Sequence, residues 1–212
     1  MQMTRVRGSL GYTGSMTRKS PEKRPPIQLS LAFVAEPPPP GAEGPILTRA
    51  LLQHPSRQRI MRMVRFVLRY FPELEGTFLK IGIARGAQGY ASLEEPQIWL
   101  NPRGLCYQTI AHEFVHLLQA RGLVPMGERS CDIFSLARDR LLVDAAPVYL
   151  EIPAAFVTPK GDLVEGGGRV IHLTAREAVQ RRQAGHRQYI RWFEKRLEQI
   201  AEAGGREAAR IL

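Results

Sequence analysis

His112-Glu113-Phe114-Val115-His116 lies inside residues 105–121, a stretch with apolar residues at helical spacing that Gly122 closes. Two histidines at i and i+4 project from one helix face, one turn apart. Their imidazoles can share a zinc ion at about 2.0–2.1 Å each. Ile110, Phe114, Leu117 and Leu118 then face a core while His112 and His116 face a cleft. The fold must therefore bury one side of this helix and leave the other open. Glu113 follows the first histidine and lies beside the histidine face rather than on it. From there it reaches a water in the cleft without ligating the metal, as the general base of a metal-assisted hydrolase must.

An open catalytic zinc site takes three protein ligands, whereas a structural one takes four. The metzincin pattern would place Gly and then His three and six residues after the second histidine. Gln119 and Gly122 stand there, so that pattern fails. Glu128, twelve residues after His116, is the better third ligand. It opens the next expected helix, and the loop 123–127 can fold the two helices into an antiparallel hairpin. Asp132 follows one turn later and can hydrogen-bond the non-ligating nitrogen of His112, fixing the ring and raising its basicity. Cys131, three residues from Glu128, could compete for a soft metal. Cys106 and Cys131 otherwise read as small buried hydrophobes.

With these residues in place, the sequence resembles the gluzincin class of zinc metallopeptidases, in which HExxH is followed by a Glu-x-x-x-Asp helix. The segment Gly127-Glu128-Arg129-Ser130-Cys131-Asp132-Ile133-Phe134-Ser135-Leu136-Ala137 is similar to the third-ligand helix of small prokaryotic members, the ImmA/IrrE-type peptidases among them. The resemblance covers residues 109–138. It implies an α+β, zincin-like fold in which a small twisted sheet packs on the HExxH helix together with further helices. It also implies Zn²⁺ on His112, His116 and Glu128, with Glu113 as base and peptide or protein as substrate. In such folds an edge strand lines the cleft, and residues 97–100 stand in the right order for it. The spacing from His116 to Glu128 is short for larger members. No residue marks itself as the oxyanion stabiliser; His172, on an expected strand, Tyr149 and Tyr189 are candidates.

Lys and Arg number 30 against 20 Asp and Glu, a formal net charge of +10, which raises nucleic acid as a partner. Eight of the 16 prolines fall in residues 1–45, where basic residues outnumber acids, so this part reads as a flexible basic tail before a domain over 46–212. Within the tail, residues 27–35 read as a docked strand or partner-binding segment rather than a signal peptide. Arg59, Arg62, Arg65 and Arg69 line one side of the helix expected to end at Phe71, and no acid occurs between Ile46 and Phe71. The first reading of that row is a solvated face. The second is phosphate binding, together with Arg181, Arg182, Arg187, Arg191, Lys195 and Arg196. A nucleic-acid-associated protein with a structural or regulatory zinc site is thus the alternative function. No apolar run is long enough to span a membrane, and two cysteines do not make a disulfide scaffold; the expected location is the cytoplasm.

Elsewhere the pattern predicts a helix from about 47 or 55 to 71 and strands over 77–84 and 96–100, with a loop at Gly86 and Gly89 between them. A helix over 128–143 has Leu141 among its core contacts. Two strands between 148 and 173 turn at Gly161-Asp162. The last helix opens at Thr174 with a capping box closed by Glu177 and carries Ile190, Phe193, Leu197 and Ile200 as its stripe.

Overall fold

The computed structural model describes residues 45–204 except Ala87 and Leu93. The expected tail, apart from Pro45, lies outside the described residues. Strand β1 (Ile46–Leu47) leads to a one-turn helix, α1 (Arg49–Leu52), and then to α2 (Arg57–Leu68). Strands β2 (Lys80–Ile83), β3 (Gly89–Ala91) and β4 (Gln97–Leu100) follow. The chain then forms α3 (Tyr107–Ala120), α4 (Glu128–Leu136), α5 (Gly167–Gln183) and α6 (Tyr189–Glu202). The architecture is α+β. Its sheet has the order β1-β2-β4-β3, with β2 parallel to β1 and β4 and β3 antiparallel to β4.

Helix α3 runs through the middle of the core. Ile110, Ala111, Phe114, Val115 and Leu118 are fully buried, and the helix packs against α2, α4, β3 and β4. Ile81 and Ile98, partners across β2 and β4, are equally inaccessible. Phe114 meets Phe71 edge-to-face at 5.2 Å. The Arg138 guanidinium covers the Phe71 ring at 4.6 Å and grips both Glu73 carboxylate oxygens, at 2.8 and 3.1 Å. From α2, Ile60, Val64 and Val67 supply the apolar stripe that the spacing predicts.

Several elements differ from expectation. The segment read as one helix from 47 or 55 divides at Pro55 into α1 and α2, and α2 ends at Leu68, before Pro72 opens a 3₁₀ turn. Residues 128–143 divide as well. Helix α4 stops at Leu136, a 3₁₀ turn follows at Arg140–Leu142, and Leu141 is exposed rather than in the core. Gly89 is not in a loop but begins β3, so β4 is internal and β3 is the edge strand. The two strands expected between 148 and 173 reduce to a single antiparallel bridge, Val157 with Leu163. His172 lies on α5, not on a strand. Thr174 is not a cap; mid-helix, its hydroxyl donates to the Val170 carbonyl at 2.9 Å. Val170, Ile171, Ala175, Ala178 and Val179 share one buried helical face, and that packing overrides the strand preference of the β-branched pair. The expected long final helix breaks between Ala184 and Gln188, and α6, with its predicted stripe, packs on α5. Cys131 is fully buried as expected. Cys106 is only half-buried and caps α3, its sulfur accepting from Thr109 N–H at 3.4 Å.

Phe114→Ala should destabilise the protein by about 3–5 kcal/mol, through lost transfer energy and the cavity left behind. Urea unfolding should show this as a lower midpoint with an unchanged slope.

Candidate metal centre

The polar side chains of α3 that face away from the core meet α4 and the loop before it. His112 Nδ1 lies 2.7 Å from Asp132 Oδ1, and the carboxylate can only accept, so Nδ1 carries the proton. The other Asp132 oxygen accepts from Tyr149 N–H at 2.9 Å. On the second histidine, Nδ1 lies 3.0 Å from Gln119 Oε1. Gln119 donates its amide hydrogens to the carbonyls of Pro125 (2.6 Å) and Gly127 (3.0 Å), which turns its oxygen toward His116. His116 therefore also carries its proton on Nδ1. Both Nε2 atoms are left as lone pairs, and both point at one atom, Glu128 Oε2, at 3.0 and 3.2 Å.

Three lone-pair atoms cannot converge in this way without a positive charge among them. A proton or a metal ion satisfies the requirement. Gly127 makes the arrangement reachable. Its backbone, at φ 109°, takes a turn that other residues resist, and Glu128 follows it as the first residue of α4. Burial pushes the His112 pKa down, but the Asp132 hydrogen bond and charge, with Glu113 and Glu128, carry it above the ordinary histidine value.

Two donor sets are available. His112, His116 and Cys131 hold ligand atoms within 4.8 Å of one another. His112, His116 and Glu128 form the other. Cys131 Sγ meets His116 at Nδ1 (3.3 Å), the nitrogen already facing Gln119, and not at Nε2. Burial, and then Glu128, Asp132 and Glu113, push its thiol far above the usual range. Geometry favours Glu128, whose Oε2 meets both Nε2 nitrogens. Its side chain is 47% exposed while the histidines are largely covered, so the cluster opens to solvent on the Glu128 side.

Glu113 is buried below β3, and its Oε2 has no hydrogen-bond partner among the described residues. A Cβ at Gly89 would lie 2.7 Å from Glu113 Oε1, so any other residue there would make this carboxyl shift from its place beside the edge strand. Burial raises the Glu113 pKa to about 7, with Glu128 adding to the rise and His112 opposing it. A carboxyl in that range can both accept and release a proton near neutrality.

The three oxyanion candidates separate. His172 donates from Nδ1 to the Leu136 carbonyl at 2.7 Å, behind α4. Tyr189 is buried, its hydroxyl 2.9 Å from Ser130 Oγ. Tyr149 alone stands at the cluster, stacked on the His112 ring at 5.6 Å and half exposed. Gln119 and Gly89 are the contributors that sequence reasoning passed over. The placement of Gln119 three residues after His116, on the same helix face, is the signal that could have found it. In comparisons of the chain with family models, with curated proteins and with solved structures, nothing matches.

In chelated protein, stability should fall as pH rises from about 4.5 to about 7. The unfolded Glu113 has released its proton in that window, whereas the folded carboxyl retains it. Glu113→Gln should remove this part of the profile, and unfolding at about pH 5 and about pH 8 would measure it. An unchanged profile would mean that the folded carboxyl is not held protonated. Asp132→Asn should weaken any metal binding at the histidine pair about 10–100-fold in a chelator competition, because the His112 ring loses its anionic partner.

Proposed function

We propose that the protein is a zinc-dependent metallopeptidase of zincin-like fold and gluzincin type. The observation that carries the reading is the convergence of His112 Nε2 and His116 Nε2 on Glu128 Oε2, with Glu113 on the same helix, its Oε2 without a hydrogen-bond partner among the described residues. The donor set of two imidazoles and one carboxylate suits zinc at an open, catalytic position. Bound there, zinc would polarise the scissile carbonyl and lower the pKa of a water toward neutrality.

The remaining roles belong to the chain. Glu113 takes a proton from the attacking water and delivers it to the leaving amine, a cycle that a pKa near 7 permits in both directions. Asp132 and Gln119 hold the two imidazoles in the tautomer that presents Nε2. Edge strand β3 pairs with β4 on one side, so its other side can hold an extended peptide by strand addition. Gly89 brings that strand against Glu113. Tyr149 is the hydroxyl nearest in kind to an oxyanion donor, at the mouth beside His112. Both cysteines are free, which suits a reducing compartment such as the cytoplasm. Among the described residues no helix is long and apolar enough to cross a membrane.

Glu113→Gln should abolish cleavage of an unfolded protein substrate while elemental analysis still finds one zinc per chain. Glu128→Ala should lower both zinc content and activity. Cleavage that survives Glu113→Gln in pure protein would remove Glu113 from its role. Zinc content that is unchanged in Glu128→Ala would move the third ligand to Cys131.

A further inference from the structure

The arginine row on α2 is unpaired among the described residues. Arg57, Arg59, Arg62, Arg65 and Arg69 are exposed, while Ile60, Met61, Val64 and Val67 on the other side of the helix are buried. Among the described residues, none of the five forms an ion pair. Their contacts are weaker ones: Arg57 donates to the Leu52 carbonyl at 3.5 Å, Arg59 to the Leu105 carbonyl at 3.2 Å, and Arg69 lies 5.9 Å from the Phe66 ring. Like charges at i+3 and i+4, as in 59/62, 62/65 and 65/69, weaken a helix, and among the described residues no ion pair offsets the repulsion.

The row lies between two grooves. One, of about 790 Å³, is lined by Arg59, Arg62, Arg65 and Arg69 with Phe66 and Tyr107. The other, of about 400 Å³, shares Arg62 and Arg65 and adds Arg57. The one acid in the larger groove, Asp144, is engaged elsewhere. Its two oxygens accept from Tyr107 N–H at 2.8 Å and Gln108 N–H at 2.9 Å, at the start of α3.

We propose that this α2 ridge binds the phosphodiester backbone of nucleic acid, without reading its sequence. From Arg57 to Arg69 the ridge extends about 18 Å along the helix axis, enough to engage several successive phosphates. Every cation on it is arginine, whose planar fork matches phosphate oxygens two at a time. A protein partner would need apolar or aromatic anchors at the centre of its contact, and no large hydrophobic side chain of α2 is exposed. Nucleic-acid interfaces are instead polar and strongly positive. Phe66 and Tyr107 pack on each other at 4.8 Å, so base stacking is not the main attraction and the binding is electrostatic. The assignment does not rest on the peptidase reading.

The test uses the full chain and measures anisotropy of labelled single-stranded and duplex oligonucleotides between about 50 and 200 mM salt. Wild type should bind both, with affinity that falls steeply with salt. Arg62→Ala/Arg65→Ala should bind about tenfold more weakly at the low-salt end and lower the log–log salt slope by about two. Arg187→Ala/Arg191→Ala makes the same change in net charge at the basic cavity beside α6 and should stay within about twofold of wild type. Circular dichroism and the unfolding midpoint check that both variants fold. Arg62→Lys/Arg65→Lys keeps the charge and should retain most of the affinity. Equal losses in the two alanine pairs, no salt-sensitive binding by wild type, or competition by polyglutamate as strong as by unlabelled oligonucleotide would each overturn the proposal.

Discussion

The pairing of α3 with α4 is fixed by polar bonds that neither helix could leave unmade. Gln108, His112, Glu113 and Gln119 are buried on α3. Gln108 donates to Ser135 Oγ at 2.9 Å, His112 to Asp132, and Gln119 to the carbonyls of Pro125 and Gly127. Each partner lies on α4 or on the turn that enters it. Breaking one bond strands a buried donor or acceptor, at a cost of about 1–3 kcal/mol. Apolar packing alone would tolerate a slip between the helices. These bonds do not, and the register they select is the one that sets Glu128 over both Nε2 atoms.

A second layer holds α4 from behind. Glu194 on α6 is buried and accepts from the Arg129 guanidinium and from Glu151 N–H. Arg129 follows Glu128, and Glu151 lies two residues beyond Tyr149. One carboxylate therefore ties the helix bearing Glu128 to the segment bearing Tyr149. Tyr189, also on α6, bonds Ser130. The C-terminal helix places no side chain in the histidine cluster, yet it holds both sides of the cleft mouth.

The sequence announced its helices best where burial is one-sided and periodic. The α2 stripe, the α3 core face and the α6 stripe were all legible because 3.6-residue periodicity survives local noise. So was the juxtaposition of Glu128 and Asp132 with the histidines, since a five-residue loop leaves a helical hairpin few ways to close. The failures have particular causes. Gly89-Tyr90-Ala91 has no alternating apolar pattern; it is a strand because β4 offers it a ladder, and its glycine is set by contact with Glu113. Val170 and Ile171 favour strand locally, and only packing against the rest of the helical layer makes them helical. The role of Gln119 depended on where the Pro125 and Gly127 carbonyls would fall, which residue spacing does not encode.

Charge is distributed against the average of the chain. A protein with net charge +10 places Glu113, Glu128 and Asp132 around two histidines, while Arg57, Arg59, Arg62, Arg65 and Arg69 line the exposed side of α2. Inside the cluster, burial and the neighbouring Glu128 keep Glu113 protonated up to about pH 7. A cation seated between the Nε2 atoms and Glu128 reverses both influences: it neutralises Glu128 and attracts charge onto Glu113. Binding a cation and ionising Glu113 are then one linked equilibrium, in which loading favours release of the proton on Glu113. The feature that makes the metal-free cluster costly at neutral pH is the same one that leaves Glu113 ready to accept a proton once the cluster is filled.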